Sequence, residues 1–390
     1  MDKFKKTACT RAVVATLGAA LVVPGVALGA DDDLKQRIET LEQKLEAIEL
    51  EAGAEERADS KWHLAGYADV GFESSNQDDT DDKFSVGHFN PVFHWLYKDN
   101  LLFEAELQIE LGDDGTTSVA MEYVDLNYFV NDSLTLVAGQ FLSPVGQFQE
   151  RLHPTWINKL PNAPAGFGHG GVQPLSDVGV QARGGVPLGG AIFGYALAVG
   201  NGPQGGHHGP ELEGFNADNN SNKALSGRFG IFLPASQLEF GVSFLSAEIP
   251  GEEADAGAVT DGDLDLWGVD AAYTRAPWEF RAEYLDSSLG EHLGAGAHGA
   301  GSTSTLPETN WEAWYVQGAR QFGKWEPVLR YSDYSGDGYG PWIEETRSEW
   351  TVGLNYLLAP SAILKTAYQS VSPDEGEDYE QFLVQFAYGF

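Results

Sequence analysis

Cysteine and methionine are scarce in this sequence, which has one cysteine and two methionines in 390 residues. The single cysteine, Cys9, precedes the apolar run at 12–23 instead of following it, which argues against a lipoprotein attachment site. The rest of the chain has no thiol. A fold held together by disulfide bonds is therefore excluded.

Basic residues are also few. The chain has 23 Lys and Arg against 58 Asp and Glu, a formal net charge of −35 and a pI near 4.4. Binding to phosphate backbones needs a concentrated basic surface. We therefore expect no nucleic-acid partner.

Long apolar runs are missing as well. The run at 12–23 falls short of the roughly 20 apolar residues that a membrane-spanning helix needs. It follows four basic residues and precedes a small-x-small pattern at 27–29. This arrangement predicts a signal peptide over 1–29 and excludes an α-helical membrane protein.

Residues 30–60 contain a short heptad pattern. Apolar residues recur there at spacings of 4, 3, 4 and 3, at Leu34, Ile38, Leu41, Leu45 and Ile48. This seam predicts a coiled-coil segment that helps several copies to assemble, followed by a linker. The alternative is an acidic linker without regular structure.

Glycine and aromatic residues are abundant: 47 Gly, 21 Phe, 15 Tyr and 10 Trp. From residue 61 onward the apolar period changes to two, most clearly over 101–111, where apolar residues alternate with Glu and Gln. Such a stretch predicts a β-strand with one apolar and one polar face. Either a soluble β-sandwich or a membrane barrel could use such strands.

The pattern predicts sixteen strands, at 62–73, 84–97, 101–111, 119–130, 134–141, 177–187, 191–199, 223–233, 237–247, 263–274, 278–287, 310–322, 325–334, 346–358, 362–372 and 379–390. Their connections alternate between tight turns and longer loops. An even strand number with sorted loops favours a barrel over a sandwich. We therefore predict an all-β fold, a 16-stranded antiparallel transmembrane β-barrel over 61–390, preceded by the short α-helical coiled-coil segment.

The last strand supports this fold. In steps of two, its apolar residues share one face: Phe382, Val384, Phe386, Tyr388 and Phe390. A barrel closes by pairing its last strand with its first, and lipid requires an apolar outer face there. An ordinary core strand is the alternative for this segment.

Three stretches resemble the phosphate-selective porin O and P family: KWHLAGYADVGFE at 61–73, GQFLSPVG at 139–146, and DVGVQ at 177–181. The resemblance implies a trimeric, 16-stranded, water-filled pore without a cofactor. It places the barrel in the bacterial outer membrane, in contact with lipid and lipopolysaccharide, with the N-terminal segment in the periplasm. The solute stays open.

The alternation also predicts which charged residues face the lumen. On the third strand these are Glu104, Glu106 and Glu110; on later strands they are Arg183, Arg228, Arg281 and Arg330. An arginine facing lipid would cost about 2–4 kcal/mol at the bilayer midplane, which favours the inward assignment. Opposed acids and bases would orient dipolar solutes. The alternative is that these groups form structural ion pairs.

The long connection over 142–176 contains Arg151, His153 and Lys159. Loops of this length are usually functional. If it folds into the lumen, it forms the constriction of the pore and these three residues meet the solute. If it stays in solvent, they do not.

Other candidate sites carry weaker signals. The pair His207–His208 lacks further ligands for a metal, and the acidic run at 78–82 lacks the spacing of a calcium loop, so we expect no metal site. No G-x-S-x-G motif suggests a hydrolase. The sequence therefore predicts a non-enzymatic porin for small polar or anionic solutes, with a structural tether between envelope layers as the alternative.

Overall fold

The computed structural model describes residue 44 and residues 60–390, except 78–79, 113, 169–170, 207–208, 213, 215, 217–220, 250–260, 296–302 and 338–345. Residues Ser60–Phe390 form one compact unit. The predicted signal peptide (1–29) and, apart from its residues 44 and 60, the predicted coiled segment (30–60) lie outside the described residues.

The described chain forms a closed β-barrel with one short helix. The strands are β1 (Ser60–Ser75), β2 (Lys83–Tyr97), β3 (Leu101–Leu111), β4 (Thr117–Asn131), β5 (Leu134–Leu142), β6 (Ser176–Leu188), β7 (Ala191–Gly200), β8 (Gln204–Gly206), β9 (Gly209–Glu211), β10 (Ala224–Leu233), β11 (Leu238–Ile249), β12 (Gly262–Tyr273), β13 (Trp278–Leu289), β14 (His292–Ala295), β15 (Thr303–Leu306), β16 (Thr309–Arg320), β17 (Trp325–Asp337), β18 (Arg347–Ala359), β19 (Ala362–Pro373) and β20 (Tyr379–Gly389); helix α1 is Phe148–Arg151.

Sixteen antiparallel strands make the barrel, in the order β1 to β7, β10 to β13 and β16 to β20, with β20 pairing back onto β1. The predicted strand number is confirmed, and every predicted strand overlaps one of these. Two small hairpins, β8–β9 and β14–β15, were not predicted. They lie within longer connections and pair only with themselves.

The pairing of β20 with β1, which closes the barrel, is extended by Phe390. Phe390 N–H donates to the Gly66 carbonyl at 2.9 Å, and Gly66 N–H donates to the Phe390 carbonyl at 3.0 Å. Gly66 has φ +153°, and a Cβ there would lie 2.4 Å from the Asn90 carbonyl oxygen. Phe382, Phe386 and Tyr388 are exposed on the outer face. The aromatic stripe thus faces outward, as predicted.

The connections are sorted by length between the two ends of the barrel. At one end they are short: 98–100, 132–133, 189–190, 234–237, 274–277, 321–324 and 360–361. At the other they are longer: 76–82, 112–116, 143–175, 201–223, 250–261, 290–308, 338–346 and 374–378. We call these the turn end and the loop end. Short periplasmic turns opposite longer loops are typical of outer-membrane barrels.

Apolar side chains cover the outside, and polar side chains line the inside. Trp267, Leu329 and Val352 are among the exposed apolar residues, whereas Asn127, Arg330 and many other polar residues are buried. This is the inverse of a soluble protein and matches the lipid-facing alternation. No helix in the described part of the chain is long and apolar enough to cross a bilayer.

Candidate functional site

The connection 143–175, here called the inserted segment, leaves β5 and folds against the inner face of distant strands. Its first turn is held by a buried carboxylate, because Glu283 on β13 accepts N–H bonds from Gln147 at 3.0 Å and from Phe148 at 3.1 Å. Gly146 N–H donates to Ser243 Oγ at 2.9 Å. The start of the inserted segment is therefore fixed to β11 and β13.

Two buried basic side chains hold the middle of the inserted segment. Arg330 on β17 donates to the carbonyls of Asn162 and Ala163, both at 2.9 Å. Lys365 on β19 donates to the Thr155 carbonyl, and to Gln385 Oε1 at 2.8 Å. Arg330 and Lys365 have no exposed surface. Arg330, which the sequence predicted as lumen-lining, thus lies beneath the inserted segment and binds its backbone.

Apolar packing fills the space between the inserted segment and this wall. Phe148 and Phe167 of the segment stack edge-on with Tyr315 of β16, with the Phe167 and Tyr315 ring centroids 5.0 Å apart. The same buried cluster includes Val145, Leu152, Val172, Leu245, Leu266, Leu285, Leu289, Trp311 and Tyr334. The interior beside β11 to β17 is therefore a packed core.

Basic residues at the edge of this core form ion pairs. Arg228 on β10 donates to Asp270 through Nε at 2.8 Å and to Glu239 through Nη2 at 2.9 Å, and its side chain is 7% exposed. Arg151 of the inserted segment donates to the same Glu239 at 2.8 Å. Glu239 therefore links Arg228, predicted to line the wall, to Arg151, predicted to lie in the constriction loop.

Arg281 and Lys159 are paired in the same way. Arg281 Nε donates to Glu279 Oε1, and Nη1 donates to Gln147 Oε1, both at 2.8 Å. Lys159 Nζ lies 2.8 Å from Glu326 and 3.5 Å from Glu279. Burial lowers the pKa of Lys159, but these two carboxylates outweigh it, so the pKa is raised and the side chain stays protonated.

The opposite wall, β1 to β4, has inward carboxylates. Glu106 is 3% exposed and accepts from Asn90 Nδ2 at 2.9 Å. Glu104 accepts from Asn127 Nδ2 at 3.0 Å and lies 3.3 Å from His94 Nε2. Glu110 is the most open of the three predicted acids, with 46% of its side chain exposed.

Arg183 on β6 sits at the edge of this acidic wall. Its Nη2 donates to Asn127 Oδ1 at 2.8 Å, while its Nη1 is 3.8 Å from Glu150. Asn127 therefore bridges Arg183 to Glu104. With 37% of its side chain exposed, Arg183 is far more open to the lumen than Arg228.

The remaining predicted residues are less informative. His153 Nδ1 contacts the Gln149 carbonyl within its own segment. His207, His208, Asp78 and Asp79 lie outside the described residues. Among the residues that are described, no group of three His, Cys, Asp or Glu is arranged to hold a metal ion.

Sequence reasoning missed several inward polar residues that matter here. Lys365 is the clearest case, because it alternates with outward Leu364 in the same way as the four predicted arginines do with their neighbours. The same alternation would have predicted that Asn90 and Asn127 also face inward. Of the two acids that flank Arg281 on β13, Glu279 accepts from Arg281, whereas Glu283 accepts from the backbone of the inserted segment.

Comparison with known proteins agrees with this architecture. Residues 246–372 match the family model described as Phosphate-selective porin O and P, which confirms the resemblance. No curated protein sequence matches the chain.

Several solved structures share the fold. The outer membrane channel DcaP of Acinetobacter baumannii aligns at a TM-score of 0.54 and 15% identity, over 86% of this chain and 98% of that one. A loop L8 deletion mutant of OmpT, an outer membrane protein of Vibrio cholerae, aligns at a TM-score of 0.56 and 13% identity, over 85% of this chain and 100% of that one. Salmonella typhi OmpF in complex with daunomycin aligns at a TM-score of 0.55 and 13% identity, over 85% of this chain and 98% of that one. At these identities the likeness establishes the porin-type barrel fold.

Proposed function

We propose that this protein is a porin of the bacterial outer membrane, through which small polar solutes diffuse passively, and not an enzyme. The inserted segment is its constriction. One observation supports this proposal: side chains with almost no exposed surface attach the segment to the inner faces of β11, β13, β17 and β19. A segment fixed in this way narrows the lumen that a 16-stranded barrel would otherwise leave.

The residues that meet the solute are the charged side chains with open surface. On the wall these are Glu110 and Arg183, and on the inserted segment Arg151. Glu106, Arg228 and Arg330 are buried, so they act through the groups they bind. Glu104, Arg281, His153 and Lys159 are partly exposed and line the lumen at the constriction.

Reconstitution tests the channel directly. The purified protein, added to a planar lipid bilayer in potassium chloride, should produce stepwise current increases of uniform size. A tether between envelope layers would insert without such steps. The channel proposal would be contradicted if the protein folds, as judged by its heat-modifiable gel mobility, yet gives no current.

We also infer a homotrimer that the coiled segment helps to assemble in the periplasm after the signal peptide is removed. The heptad seam at Leu34 to Ile48 supports this role. Deleting 31–51 should weaken the trimer band in native gels, because two heptads per chain would no longer contribute. Unchanged trimers would mean that the barrel alone determines assembly.

A further inference from the structure

The outer face of the barrel has a groove near the turn end. It lies across β12, β13, β16, β17 and β18 and has a volume of about 930 Å³. Trp278, Phe280 and Trp350 line it and are exposed on the outer surface. Gly318 deepens it, because a Cβ at this position would lie 3.1 Å from the Phe280 ring. An apolar slot of this size on a lipid-facing wall fits hydrocarbon chains.

One arginine stands at the end of this groove. Arg320 is the last residue of β16, two residues beyond Gly318 on the same outward face. Its guanidinium carbon lies 4.5 Å from the Trp278 ring centroid and 4.4 Å from the Phe322 ring centroid. Cation–π contacts on both rings hold the guanidinium in one place.

The terminal NH2 groups of Arg320 are the ones that can reach a ligand, because its Nε is buried. The contacts of the guanidinium within the described residues are with the Trp278 and Phe322 rings, which leave these N–H groups available. Guanidinium N–H groups in a fixed plane match the oxygens of a phosphate, which can accept two parallel bonds. Arg320 is therefore preorganised for a phosphate group at the end of an apolar groove.

The charge around Arg320 is opposite to that of the whole chain. Trp278 and Arg320 pair across β13 and β16, which places the turn 274–277 beside Arg320, and the turn 321–324 follows it directly. These two turns contain Arg275 and Lys324 and no acidic residue, in a chain where acidic residues outnumber basic ones 58 to 23. The local field therefore favours an anion.

We propose that this groove is a binding site for an anionic phospholipid, with acyl chain in the groove and phosphate on Arg320. The inference rests on the proposed outer-membrane location, in which short turns face the periplasmic side and its glycerophospholipid leaflet. The bound lipid fills the groove and adds to barrel stability, since a ligand that binds only the folded state stabilises that state.

The test uses the full-length mature protein in non-ionic detergent, with native mass spectrometry to count bound molecules. Dioleoyl phosphatidylglycerol should bind, whereas glycerol 3-phosphate, which has no chains, and dioleoylglycerol, which has no phosphate, should bind far more weakly. Arg320→Gln should lower the phosphatidylglycerol affinity about tenfold, because charged hydrogen bonds are lost. Gly318→Leu fills the groove without changing charge and should also weaken binding.

Lys98→Gln is the matched control. Lys98 also lies in a tight turn over an aromatic ring, 5.0 Å from the Tyr97 centroid, but far from the groove, so phosphatidylglycerol should bind this variant like the wild type. Equal binding by wild type, Arg320→Gln and Gly318→Leu would overturn the site. Cross-linking of Val316→Cys between two copies in the assembled protein would also overturn it, by making the groove an interface.

Single-channel recordings separate this proposal from the function on which it rests. Every variant should keep the stepwise currents of the wild type, because Arg320 and Gly318 face away from the lumen. Currents without lipid selectivity would refute the lipid site alone. Loss of current in the wild type would instead refute the channel.

Discussion

Replacing Arg330 and Lys365 together by methionine should raise the single-channel conductance by about twofold, since current scales with the open cross-section at the narrowest point. The two side chains donate to backbone carbonyls of the inserted segment at Thr155, Asn162 and Ala163. Each carbonyl left without its donor costs about 1–3 kcal/mol, so the middle of the inserted segment should move away from β17 and β19, while Glu283 and Ser243 still hold its start. Planar-bilayer recordings measure this change.

The control replaces Lys61 and Lys98 by methionine. Both are exposed at the turn end, so the variant loses two positive charges without touching the inserted segment. Its conductance should equal that of the wild type. If the Arg330 and Lys365 variant also keeps the wild-type conductance while its barrel stays folded, the inserted segment is not the constriction.

Alternation along the strands predicts faces well, because a period of two follows from the geometry of a single strand. All four predicted arginines, Arg183, Arg228, Arg281 and Arg330, lie on inward-facing positions of their strands. The sixteen-strand barrel and its sorted connections were predictable for the same reason. Each depends on residues that are close together in the sequence.

The residues that each arginine contacts could not be predicted from alternation. Arg228 meets Asp270 and Arg330 meets Asn162, and these pairs are 42 and 168 residues apart in the chain. Alternation along the strands assigns all four arginines the same inward position. Contacts across the barrel distinguish them: Arg228 is in a buried ion pair, Arg330 binds the inserted segment, Arg281 is partly covered and Arg183 is open to the lumen. That separation arises from the path of the inserted segment, which its length and composition do not encode.

The clearest consequence concerns Arg228 and Arg183, which sequence reasoning treated alike. Arg228→Ala should destabilise the barrel by about 3–5 kcal/mol, because it leaves Asp270 and Glu239 without their buried partner. Arg183→Ala should leave stability nearly unchanged, since Arg183 is about one-third exposed and bound mainly through Asn127. Heat-induced unfolding in detergent, followed by circular dichroism, compares the two.

Ion selectivity should change more in Arg183→Ala than in Arg228→Ala, the reverse of the order for stability. Arg183→Ala removes an open positive charge next to Glu104 and Glu150, so reversal potentials in a salt gradient should shift toward cation permeability. Combining Arg228→Met with Asp270→Leu removes both members of the buried pair, and this variant should unfold at a higher temperature than Arg228→Ala, since no buried charge is left alone. If Arg228→Ala is as stable as the wild type and changes selectivity more than Arg183→Ala does, Arg228 meets the solute and the assignment from burial is wrong.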